Sequence, residues 1–118
     1  MPFFDTSDHV AFDEAKLRKH NLFDEAQLTG DVYCLCPGQA QKPHRHDGQA
    51  KFYFVISGRG RFTLADESRD LGPGGLACAP EGVEHGVVNP GPENLVLLVA
   101  IAPSPNKTRN AEVGTRNG

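Results

Sequence analysis

The chain has 118 residues, enough for one hydrophobic core and too few for two, so any function beyond a single pocket calls for a second copy or a partner. Its 12 Lys and Arg against 15 Asp and Glu give a formal charge of −3, with no basic stripe, which argues against nucleic acid as a partner. The longest apolar run, Leu95–Ala102, is far short of the roughly 20 residues of a membrane span, and the opening MPFFDTSDHV lacks the apolar block of a secretory signal, so the expectation is a soluble cytoplasmic protein without a membrane partner.

Residues 1–30 give no clean period. FDEAKL at 12–17 recurs as FDEAQL at 23–28, but two copies of six residues fall short of a repeat architecture, and the region is assigned to edge strands or a short helix packed on the main domain. From residue 31 to 102 short apolar runs alternate with Gly- and Pro-rich turns, the pattern of an all-β domain. Strands are predicted at 32–36, 52–57, 61–64, 76–79, 87–88 and 95–101, with turns at 37–38, 58–60, 72–75, 80–82 and 89–92. Cys34, Cys36 and Cys78 are an odd set without a disulfide framework and read as reduced thiols, with packing favoured over catalysis. The tail, 103–118, is nearly devoid of apolar side chains and is expected to be loosely packed or disordered.

Chemistry concentrates in two stretches. In 38–58 His44 and His46 are two apart, so on a strand both imidazoles lie on one face about 6.5 Å apart and can aim at one point. In 74–89 a single histidine, His85, stands in a frame of Gly74, Pro80, Gly82 and Asn89 and is the credible third donor. His9 and His20 match no spacing. A His-x-His pair alone is weak evidence, since histidine is common on exposed strands.

The frame around the histidines is specific. Gly38, His44, His46 and Gly58, then Gly74, Pro80, Gly82, His85 and Asn89, fill nine of the ten fixed positions of the two motifs that define cupins, and the chain resembles a small single-domain bacterial cupin. The resemblance implies a double-stranded β-helix, the jelly-roll barrel, and a divalent transition metal such as Fe, Zn, Ni or Mn on the motif histidines. Asn89 is read as a turn residue, and the motif glycines as turn residues too.

One position departs from the pattern. The family's metal-binding glutamate falls on Lys51, whose ammonium has no lone pair to give and repels a cation. Three outcomes are weighed in this order: a three-histidine metal site on His44, His46 and His85, similar to the sites of thiol dioxygenases; a metal-free pocket in which Lys51 holds an anionic ligand or acts as a base; and rescue of the fourth ligand by Gln49 or Asp47. A bland alternative has Lys51 reaching solvent or pairing with Glu81 or Glu84. Tyr53 shares the inward face of Lys51 and is a candidate catalytic hydroxyl as well as a core aromatic.

Function divides accordingly. The first reading is a mononuclear metal protein acting on a small molecule, as a dioxygenase or isomerase; the rival is a non-enzymatic small-molecule-binding or sensing module. Both predict a homodimer, because the apolar set Phe52, Phe54 and Ile56 needs cover.

Overall fold

The structure is a computed structural model that describes residues 2–105. Expectations for the tail beyond residue 105 therefore lie outside the described residues. A short 3-10 helix, Thr6–His9, is capped by Asp5, whose carboxylate accepts from the Ser7 amide. Nine strands follow among the described residues: β1 (Arg18–Glu25), β2 (Leu28–Leu35), β3 (Ala40–His44), β4 (Ala50–Ser57), β5 (Gly60–Leu64), β6 (Glu67–Leu71), β7 (Leu76–Ala79), β8 (His85–Val88) and β9 (Leu95–Ala102).

They form two antiparallel sheets, one ordered β1-β2-β9-β4-β7 and the other β3-β8-β5-β6, which is the double-stranded β-helix expected from the sequence. The period of two in each strand sorts its side chains. On β4, Lys51, Tyr53 and Val55 are buried toward the interior while Phe52, Phe54 and Ile56 are half-buried on the outer face. Tyr33, Leu35, Tyr53, Val55, Phe62, Val87, Leu95, Leu97 and Val99 fill the space between the sheets. A second cluster lies on the back of the large sheet, where Val32, Cys34 and Val96 are covered by Phe12, Leu22 and Ile56. This is why β2, with apolar residues on both faces, has few exposed positions.

Two strands, β3 and β6, were absent from the sequence reading, and β1 lies in the region assigned there to edge strands or a short helix. All three are sheet edges, and their sequences RKHNLFDE, AQKPH and ESRDL carry charge in place of apolar alternation, the composition with which natural edges avoid pairing with other chains. The two FDEA copies take different shapes. The first lies in an irregular turn where Asp13 accepts from the Ala15 amide, and the second runs off β1 into the tight turn to β2, with Glu25 opposite Leu28.

Gly58 closes the first motif with φ +83°, and a Cβ there would stand 2.2 Å from the carbonyl oxygen of Asn94, so only glycine fits. Asn89 is 1 % exposed; its amide donates to the carbonyls of Leu35 and Glu93, both at 2.9 Å, and its oxygen accepts from the Gly91 amide at 2.8 Å. It is a buried clamp on three backbone segments, in keeping with its reading as a turn residue.

Candidate metal centre

The small sheet builds the site. In the antiparallel ladder of β3 and β8, His44 stands directly opposite His85, so strand pairing alone brings residues from the two motifs together. The register slips between Gln41 and His44, where Pro43 supplies no amide to the ladder, and β3 tolerates this as an edge strand. Gly86 permits the close approach, since a Cβ there would meet the Gln41 carbonyl at 2.8 Å. His46 lies just past the end of β3, and its carbonyl accepts from the Gly82 amide of the second motif at 3.2 Å.

The three rings are mutual neighbours, with centroids 4.8 Å apart for His44 and His46, 4.4 Å for His44 and His85, and 5.3 Å for His46 and His85. Each can offer one nitrogen to a common point, and those atoms lie within 4.8 Å of one another. Two of the rings are fixed from behind. His44 Nδ1 is 2.8 Å from the Lys42 carbonyl and His85 Nδ1 is 2.9 Å from the Val83 carbonyl, contacts that need the proton on Nδ1 and leave the Nε2 lone pair free. His85 Nε2 is buried and has no hydrogen-bond partner among the described residues. A buried, unpartnered lone pair in a ring of imidazoles is costly unless something occupies the centre, and a divalent ion with nitrogen ligands fits that demand.

The surroundings disfavour protonation of two of the three rings. Burial holds the His85 imidazole down to about 4, with smaller contributions from Lys51, His44 and His46. Burial also lowers His46, aided by the charges of His44 and Lys51. Neutral imidazole is the form that binds metal, so the site needs no deprotonation of these two rings at neutral pH.

Lys51 faces the histidines from β4 on the opposite sheet. It is only 3 % exposed and pairs with neither Glu81 nor Glu84, which overturns the alternative in which it reaches solvent or one of those carboxylates. Its ammonium donates to Gln41 Oε1 at 2.9 Å and lies 5.2 Å and 4.9 Å from the ring centres of Tyr33 and Tyr53. Burial depresses it from 10.5 to about 7, with Lys19 adding repulsion and Asp31 opposing it. Tyr53 donates to the same Gln41 oxygen at 2.6 Å, and its ring stands 6.1 Å from that of His85. Burial raises its phenol far above the ordinary value, so it stays protonated.

Gln49 precedes β4 and its Nε2 donates to the Pro103 carbonyl at 3.1 Å, while Asp47 is exposed in the turn after His46. The three-histidine group forms without either. Cys34 is buried, Cys36 is half-buried with its Sγ 3.8 Å from the Asp13 carbonyl, and Cys78 is exposed; all three are free.

Sequence reasoning missed Gln41, the residue that organises the polar wall of the barrel. It receives Lys51 and Tyr53 on its oxygen and sits 3.5 Å from the Tyr33 hydroxyl through its nitrogen. A glutamine in a charged edge strand reads as solvated, and only the slip before His44 reveals the inward side chain. Asp31, also missed, accepts from Asn21 Nδ2 at 2.8 Å and is raised by burial.

The chain is similar to known proteins in sequence and in fold. An uncharacterized protein of Streptomyces coelicolor is 33 % identical over 81 residues, spanning 67 % of this chain and 73 % of its own. A Thermus thermophilus crystal structure superposes with a TM-score of 0.86 at 36 % identity, covering 89 % of this chain and all of its own, 100 %. The oxalate-binding protein of Thermotoga maritima is 26 % identical over 93 residues, 79 % of this chain and 71 % of that one. The cupin domain profile matches residues 31–101, the span that carries both motifs and all three histidines, and on that match the chain belongs to the cupin family.

Proposed function

We propose that this protein is a metal-dependent cupin in which His44, His46 and His85 hold one divalent transition ion, Fe, Zn, Ni or Mn, and that it acts on a small molecule in oxidoreductase or isomerase chemistry. The observation that carries this reading is the buried His85 Nε2, without a partner among the described residues, in a cluster where the Nδ1 atoms of His85 and His44 are each tied to a backbone carbonyl. Three protein nitrogens leave coordination positions open, and the ion would polarise a substrate oxygen placed there. Lys51 and Tyr53 then face the reacting centre from the opposite sheet as candidate catalytic groups, one able to hold or give a proton near neutrality and the other a fixed hydroxyl donor. Gln49 would join the ligands only by leaving the Pro103 carbonyl.

Elemental analysis of the purified protein tests the reading. We expect near-stoichiometric transition metal, lost in His44→Ala and His85→Ala. Failure to bind after anaerobic reconstitution with Fe(II), Zn(II), Ni(II) and Mn(II) would overturn it. Lys51 in the family's glutamate position favours a second reading in that event, a metal-free cupin that binds or senses an anionic small molecule. The relative named for oxalate binding supports a small-molecule pocket under either reading.

We also propose a cytoplasmic homodimer. Three free thiols fit a reducing compartment. The outer face of the large sheet presents half-buried Phe52, Phe54 and Ile56 beside Leu76, which is 52 % exposed, and a second copy would cover them. A monomer by light scattering would count against the dimer.

A further inference from the structure

We infer that the barrel seats its small molecule by a carboxylate held between Lys51 and Tyr33, which makes the ligand of the proposed metal site an organic acid. The inference builds on that site as the place where the rest of the ligand reacts, but the seat itself is argued from other residues. An ammonium carries three N–H donors. Among the described residues Lys51 gives one of them to Gln41 Oε1, and that oxygen is shared with the Tyr53 hydroxyl. No carboxylate lies within ion-pair distance of Lys51 among these residues, the two ion pairs being Arg61 with Asp70 and Arg69 with Glu67. Asp31 acts on it only from a distance and is itself held by Asn21.

The neighbouring hydroxyl is in the same condition. Tyr33 is 2 % exposed; its oxygen takes a long contact from Gln41 Nε2 at 3.5 Å, and no acceptor for its own proton is present among the described residues. Two buried donors, one of them charged, thus stand on either side of one glutamine amide with protons left to give. Leaving such donors unfilled carries a desolvation cost that a bound acceptor removes. A carboxylate has two oxygens and can accept from both groups at once.

Charge narrows the class. A single ammonium among aromatic rings offsets one negative charge, whereas a phosphate brings a second charge as the dianion and, as the monoanion, two hydroxyls that need acceptors in a seat made of donors. Lys19, exposed and 5.3 Å from the Tyr33 ring centre, adds positive potential that draws an anion toward the seat.

The test is an amide NMR titration at pH 6.5 with butyrate, its neutral isostere butyramide, and inorganic phosphate. Each is run on chelator-treated and on zinc-reconstituted protein, with zinc content measured on the same samples. We expect butyrate to bind the chelator-treated protein at least ten-fold more tightly than butyramide or phosphate. Lys51→Met should weaken butyrate at least ten-fold, and Tyr33→Phe about three-fold, with well-dispersed spectra showing that both variants fold. The inference is overturned if butyrate does not bind, if butyramide or phosphate matches it, or if Lys51→Met binds it unchanged. The two readings fail separately: zinc loading without Lys51-dependent butyrate binding removes the carboxylate seat and keeps the metal, and the converse removes the metal and keeps the seat.

Discussion

Replacing Lys51 by Met should stabilise the metal-free protein, and by an amount that depends on pH in a defined direction. Lys51 is 3 % exposed and burial depresses it from 10.5 to about 7. Methionine has nearly the same length and fills the same space without a charge. Above pH 10.5 the lysine is neutral in both folded and unfolded chains and costs nothing by ionisation. As pH falls from 10.5 toward 7 the unfolded chain takes up a proton that the folded chain refuses, so the wild type loses about 1.4 kcal/mol per pH unit, and below pH 7 the loss levels off near about 5 kcal/mol. The Gln41 oxygen keeps its bond from Tyr53 in the variant, so no new buried acceptor is orphaned. Urea unfolding of both proteins with chelator present should therefore show Lys51→Met ahead by about 5 kcal/mol at pH 6.5 and about 1 kcal/mol at pH 9.5. An advantage that is the same at both pH values would refute the reasoning, because it would mean that the ammonium is not desolvated by the fold.

Lys51→Glu restores the carboxylate of the family pattern opposite the histidines and should tighten metal binding by about ten-fold or more in a competition titration; unchanged affinity would mean that position 51 does not act on the ion. Gly58→Ala forces a side chain into a φ of +83° and against the Asn94 carbonyl, and should cost about 2 kcal/mol or more in denaturant unfolding. Asn89→Ala removes hydrogen bonds to Leu35, Glu93 and Gly91 at once and should cost about 3 kcal/mol without touching a metal ligand. Its metal content should therefore match the wild type at temperatures where the variant is folded.

The site was legible where chemistry and chain spacing coincide. His44, His46 and His85 follow from the two motifs, and the placement of Lys51 and Tyr53 on one inward face follows from the period of a strand. Strands β4, β7 and β9 were readable because they lie within the large sheet or carry apolar residues onto the core. Strands β3 and β6 were not, and β1 was read only as an edge strand or short helix without bounds, since an edge strand is selected to look soluble and its pairing is a tertiary fact. Gln41 was hidden for the same reason, compounded by the slip at Pro43 that changes the alternation between Gln41 and His44. What Lys51 touches could not be read either, because Gln41 and Tyr33 come from other strands, and nothing local distinguishes a buried lysine from a surface one.

The pairing of His44 with His85 across β3 and β8 sets a rule for which length changes the protein can accept. The turn at 47–49 lies beyond the ladder and can lengthen without moving either ring, so variation there would alter the rim of the pocket and spare its centre. One residue added between Gly38 and His44, or between His85 and Asn89, would instead slide one strand past the other and turn an imidazole to the outside. The spacings from Gly38 to His44 and from His85 to Asn89 are therefore held by strand register, and the turn at 47–49 is the part free to diversify ligand choice.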